Sequence, residues 1–129
     1  MEYVTLVSGL VLLQYMTFAM LVGNARVKYG VKAPAVSGNE VFERYFRVQQ
    51  NTLELMVVLL PSMWLFAQYV SADWAAGLGI VYLIGRVVYI RSYVANPASR
   101  SAGFGLSFLP ILVLVIGAML GAGSTLLQR

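Results

Sequence analysis

Four long apolar stretches dominate the chain, and polar residues collect between them. The first runs from about Val4 to Val22, the second from about Thr52 to Val70, the third from about Ala75 to Ala95 and the fourth from about Leu106 to Leu127. A bilayer core of about 30 Å takes roughly 20 apolar residues of helix, the length of each stretch. The pattern predicts an all-α fold: a four-transmembrane-helix bundle forming one domain over residues 1–129. The first stretch lacks a basic leader and a small-residue cleavage site, so it is expected to be a retained helix and not a signal peptide.

The polar segments predict where the helices begin and end. Residues 24–50 are polar and basic, and within them Ser37-Gly-Asn-Glu40 fits a capping box. Helix two is therefore expected to start near residue 38, well before it enters lipid. Val70 to Trp74 reads as a tight turn, with Tyr69 and Trp74 as interfacial aromatics. Asn96-Pro97 matches the preference for Asn at an N-cap and Pro at the first helical position, which predicts that helix four starts there with Arg100 in its first turn. Pro61 and Pro110 fall inside spans two and four and predict kinks. Gly117 and Gly121 form a small-xxx-small pair, read as a close helix contact. Gln14 and Gln68 are read as polar packing groups.

Composition strengthens the membrane reading. The 129 residues are 60% hydrophobic and 11% charged, where a soluble domain carries about 25% charged residues. A soluble chain this short could not bury that much apolar surface. There is no cysteine and no histidine, which excludes disulfides, thiol nucleophiles, zinc sites and histidine acid–base chemistry. The net charge of +4 is not a nucleic-acid signature, because the basic residues are embedded among apolar helices. Arg26, Lys28, Lys32, Arg44, Arg47, Arg86, Arg91 and Arg100 lie at the end bearing loops one and three, and only Arg129 lies at the other. The positive-inside rule then makes loops one and three cytoplasmic, with both termini on the opposite face.

The arrangement of the deeper polar residues points to a site. On helix two, Arg47, Asn51 and Glu54 are spaced i, i+4, i+7, on one helical face, with Gln50 nearby. On helix three, Arg86, Tyr89 and Tyr93 are spaced i, i+3, i+7, again on one face. Helix one ends with Arg26 and helix four opens with Arg100. All four helices thus offer a polar group at one end. Several arginines and two phenols beside a single deep carboxylate suit an anionic guest, and Glu54 could hold an amino group. The structural alternative is an Arg47–Glu54 ion network that fixes the bundle, with Arg26, Lys28 and Arg44 as solvated topology determinants and the tyrosines as belt residues. Convergence of four helices at one depth favours the site.

Two segments carry a resemblance. Phe42-Glu-Arg-Tyr-Phe-Arg-Val-Gln-Gln-Asn-Thr-Leu-Glu54 and Tyr82-Leu-Ile-Gly-Arg-Val-Val-Tyr-Ile-Arg-Ser-Tyr93 resemble the helix-two and helix-three motifs of the membrane-associated proteins in eicosanoid and glutathione metabolism (MAPEG). The resemblance covers most of the chain, including the proline in helix two. It implies a homotrimer of four-helix bundles that binds glutathione between neighbouring protomers. Carried over by position, Arg47, Asn51, Glu54, Tyr89 and Tyr93 would bind the tripeptide, with Arg86 beside them. Arg26 and Gln49 would contribute from the adjoining protomer, and Arg100 would stabilise the glutathione thiolate. Leu55 and Val27 depart from the leukotriene-synthase branch, which has Tyr and Arg there. The expected activity is therefore a general microsomal-type glutathione transferase acting on lipophilic electrophiles, with peroxidase activity as a second capacity. The rival readings are a non-catalytic lipid-binding scaffold of the same family, a small multidrug transporter and a structural membrane subunit. Such transporters use a glutamate within helix one, and here Glu2 precedes that span.

Overall fold

The computed structural model describes residues 1–129 as α1 (Glu2–Tyr29), α2 (Glu40–Tyr69), α3 (Ala72–Ala95) and α4 (Ser101–Leu127), with one 3-10 turn, Pro97–Ser99, before α4. All four helices are long and apolar enough to cross a membrane.

The helix ends are set by short-range chemistry that partly departs from the expectations. α1 continues past its apolar span to Gly30, whose left-handed φ of 69° ends the helix while its N–H bonds to the Arg26 carbonyl. A side chain there would be strained, which is why glycine serves. α2 is capped by Asn39 and not by Ser37: Asn39 Oδ1 accepts from the Phe42 N–H at 3.0 Å, and Glu43 Oε2 accepts from the Gly38 N–H at 3.3 Å. Ser71 caps α3 by accepting from the Trp74 N–H at 3.2 Å. Only Val70 and Ser71 therefore join α2 to α3, and Asp73 and Trp74 belong to the first turn of α3. Asp73 sits where the positive end of the helix dipole favours an acid. Asn96 does cap a helix, accepting from the Ala98 N–H at 3.1 Å, but that helix is the short 3-10 turn. Arg100 is the junction residue before α4 and not part of its first turn. α2 and α4 run continuously through Pro61 and Pro110.

A dry core runs along the bundle axis, where Val4, Val11, Leu59, Met63 and Leu114 are fully buried. Leu6, Met20, Ile84, Leu109 and Leu120 project outward with more than half of their surface exposed. Apolar residues inside and outside alike are what a lipid solvent permits. Small residues set the closest approaches. Gly117 lies under the Phe66 ring and Gly121 against the Tyr69 carbonyl, so the glycine pair seats α4 on α2 as a packing contact. Gly85 meets the backbone at Leu106 and Ser107, and Gly103 meets the backbone of Tyr89, which draws α3 and α4 together beside the polar end. Gln14 Nε2 donates to the Leu83 carbonyl at 2.9 Å and ties α1 to α3, a packing role as expected.

Candidate functional site

At the end bearing loops one and three, a cavity of about 580 Å³ opens between α2, α3, the junction before α4 and loop one. This size falls in the usual range for small-molecule sites, about 300–1,000 Å³. Arg47, Asn51, Glu54, Tyr89, Tyr93 and Arg100 all line it. The helical spacings explain the gathering. α2 contributes one face over two turns, α3 contributes two tyrosines one turn apart, and the α3–α4 connection brings Arg100 to the lining.

The Arg47–Glu54 ion pair of the structural alternative does not form. The only ion pair in the chain joins the N-terminal amine to Glu2 at 3.3 Å, so Arg47, Glu54 and Arg100 are unpaired charges around one cavity. Tyr89 is buried and stacks on the half-buried Tyr93 at 5.5 Å between ring centroids, and both line the cavity. By contrast, Arg44 Nη1 donates to the Val94 carbonyl at 2.9 Å and fastens α2 to the end of α3.

Three expected site residues lie elsewhere. Arg86 does not reach the cavity: it is fully buried one turn deeper, between α2, α3 and α4. Its Nε donates to Ser107 Oγ at 2.9 Å, and its Nη1 donates to Asn51 Oδ1 at 2.7 Å and to Thr52 Oγ1 at 3.1 Å. The guanidinium also lies 4.3 Å from the centroid of the Tyr89 ring, a cation–π distance. Arg26 donates to the Ala35 carbonyl at 2.6 Å and covers the Phe42 ring at 4.8 Å, so within the protomer it braces loop one. Gln49 is half-buried on α2 away from this cavity.

The sequence reading missed several neighbours. Ser37, Glu43 and Phe46 also line the cavity, and Gln50, noted only as sharing that side, joins them. Thr52 and Ser107, the partners of Arg86, were not singled out. A hydroxyl on a membrane helix was their only signal, and many such hydroxyls bond only to their own backbone.

Four apolar spans with a polar cavity at one end, lined by unpaired charges of both signs, describe an integral membrane protein with a candidate site. The sequence profile of the MAPEG family matches residues 4–120, and the chain belongs to that family. It is 46% identical over 115 residues to an uncharacterised protein of Synechocystis sp., covering 89% of this chain and 84% of that one. It is 38% identical over 112 residues to human microsomal glutathione S-transferase 2, covering 87% and 76%. Bovine leukotriene C4 synthase is 33% identical over 104 residues, covering 81% and 69%.

Proposed function

We propose that this protein is a membrane-bound glutathione transferase. It activates glutathione as a thiolate and passes it to lipophilic electrophiles that arrive from the bilayer. The observation that carries the reading is the single cavity in which Arg47, Asn51, Glu54, Tyr89, Tyr93 and Arg100 meet with their charges uncommitted. Glutathione carries two carboxylates, one ammonium and one thiol. Arg47, Asn51 and the two phenols supply donors for carboxylates. Glu54 supplies an acceptor for the ammonium, and Arg100 a cation for the sulfur. The names of the relatives, glutathione S-transferases among them, point the same way.

The chemistry follows from elementary electrostatics. A free thiol with a pKa of about 8.5 is mostly protonated at neutral pH. A neighbouring cation favours the thiolate and lowers that value. Arginine keeps its charge in a poorly solvated site, where lysine readily loses it. The thiolate then attacks the electrophilic carbon and forms a thioether as the leaving group departs or an epoxide opens. In a peroxidase turnover the same sulfur attacks a peroxide oxygen, the O–O bond breaks and the alcohol leaves, and a second glutathione then displaces water from the sulfenic acid to form the disulfide. The thiol proton passes to water, so Arg100 acts only as a cation and no side-chain base is required.

The assembly proposed with this function is a homotrimer, in which Arg26 and Gln49 reach the site of the adjoining protomer. Loops one and three would be cytoplasmic, which presents the cavity to the glutathione-bearing compartment. The test is calorimetric titration of the detergent-purified protein with glutathione, together with turnover of an activated aryl chloride. Arg47→Ala and Glu54→Gln should each weaken binding about ten- to a hundredfold, the value of a charge-assisted hydrogen bond. A wild-type protein that binds no glutathione would contradict the proposal and leave the lipid-binding scaffold.

A further inference from the structure

Arg86 is the largest fully buried side chain in the protein. It carries a charge inside a membrane bundle, with no carboxylate partner. Such a residue is costly and calls for a reason. Its surroundings supply one. Thr52 Oγ1 donates to the Val48 carbonyl at 2.7 Å, and Ser107 Oγ donates to the Gly103 carbonyl at 2.7 Å. Both hydroxyl hydrogens are thus spent on their own helices, and both oxygens turn lone pairs to Arg86. The third acceptor is Asn51 Oδ1, at 2.7 Å from Nη1. A guanidinium only donates, so the carboxamide of Asn51 can face it only through its oxygen.

We propose that Arg86 is a positioning residue that locks the Asn51 carboxamide with its Nδ2 donors toward the cavity, so that this wall accepts only a hydrogen-bond acceptor such as a carboxylate or carbonyl of the ligand. Asn51 lines the cavity, and its Nδ2 makes no hydrogen bond within the protein. An unlocked asparagine could present either end and would serve a donor or an acceptor. The lock removes that choice before the ligand arrives, which is preorganisation. The inference rests on the glutathione reading for the identity of the ligand.

The same geometry predicts that Arg86 is dispensable for the fold. Thr52 and Ser107 keep their helical partners without it; Asn51 Oδ1 loses its donor and the Tyr89 ring loses the cation over its face. The experiment is a double-mutant cycle on the glutathione Kd of the full-length protein, using Arg86→Met, Asn51→Ala and the double variant. Ser107→Ala is the control that frees Nε but leaves the Asn51 contact. Arg86→Met alone should weaken binding about tenfold, and less than about twofold in the Asn51→Ala background. Ser107→Ala should stay within about twofold of wild type. Equal losses from Arg86→Met in both backgrounds would overturn the lock, because a general structural effect adds independently of Asn51. A second readout needs no ligand. The side-chain amide signals of Asn51 in nitrogen-15-labelled protein, identified by their loss in Asn51→Ala, should shift in Arg86→Lys but not in Ser107→Ala. Unshifted signals in Arg86→Lys would likewise overturn the lock. If the wild-type protein binds no glutathione while these signals shift as expected, the lock stands and the glutathione reading falls.

Discussion

Replacing Gly103 by alanine tests how closely the site depends on the α3–α4 contact. A Cβ built on Gly103 would lie 2.5 Å from both Cα and N of Tyr89. Ordinary contact begins near 3.4 Å, so the helices would have to part by about 0.9 Å. The atoms in the way are backbone, and no rotamer change can clear them. Overpacking of this kind costs about 1–3 kcal/mol. The functional cost should exceed the stability cost. Tyr89 on α3 and Arg100 at the entrance to α4 line one cavity, and a misplacement of about 1 Å can cost on the order of a hundredfold in rate. The matched control is Gly105→Ala, two residues along the same helix, where a Cβ meets nothing within 4 Å. The assay is the midpoint of thermal inactivation in one detergent, with kcat/KM for glutathione conjugation measured alongside. Gly103→Ala should fall well below Gly105→Ala in both. Equal midpoints and equal kcat/KM for the two variants would refute the claim that this approach seats the site.

Two further substitutions probe the frame around the cavity. Gly30→Ala places a side chain at φ 69°, so it should destabilise by about 1 kcal/mol in thermal unfolding, and an unchanged midpoint would mean that α1 can end in another conformation. Gln14→Leu removes a buried amide whose Oε1 has no partner. Interhelical hydrogen bonds in membranes average about 0.6 kcal/mol, so the variant should unfold within about 1 kcal/mol of wild type, and a much larger loss would reveal a second role for Gln14.

The four helices could be read from hydropathy because lipid exposure leaves long apolar runs with nothing to interrupt them. The helix ends were harder. The Ser37–Glu40 spacing fits a capping box, yet the structure uses Asn39 as the cap, and Glu43 instead of Glu40 reaches back to the Gly38 N–H. Arg47, Asn51 and Glu54 could be placed on one face because a helical period fixes angle. It does not fix depth. Arg86 shares its face with Tyr89 and Tyr93, yet it lies one turn farther in, where α2 and α4 close over it. Its acceptors come from those two helices, Thr52 from one and Ser107 from the other. A pattern within α3 could not reveal them. The bracing of loop one by Arg26 was likewise invisible in the pattern of α1, since it depends on where loop one folds back to offer the Ala35 carbonyl.

The central claim is that Arg100 holds glutathione as a thiolate, and its most direct test is the ultraviolet thiolate absorbance of the bound tripeptide as a function of pH. A cation beside the sulfur stabilises the charged form, so the bound thiol should ionise below its ordinary value of about 8.5, and activity should persist at pH values where free glutathione is protonated. Arg100→Ala should move the midpoint back up toward the free value while leaving much of the binding intact, because Arg47, Asn51 and Glu54 remain in the cavity. A wild-type midpoint already at the free value, or one unmoved by Arg100→Ala, would contradict the account.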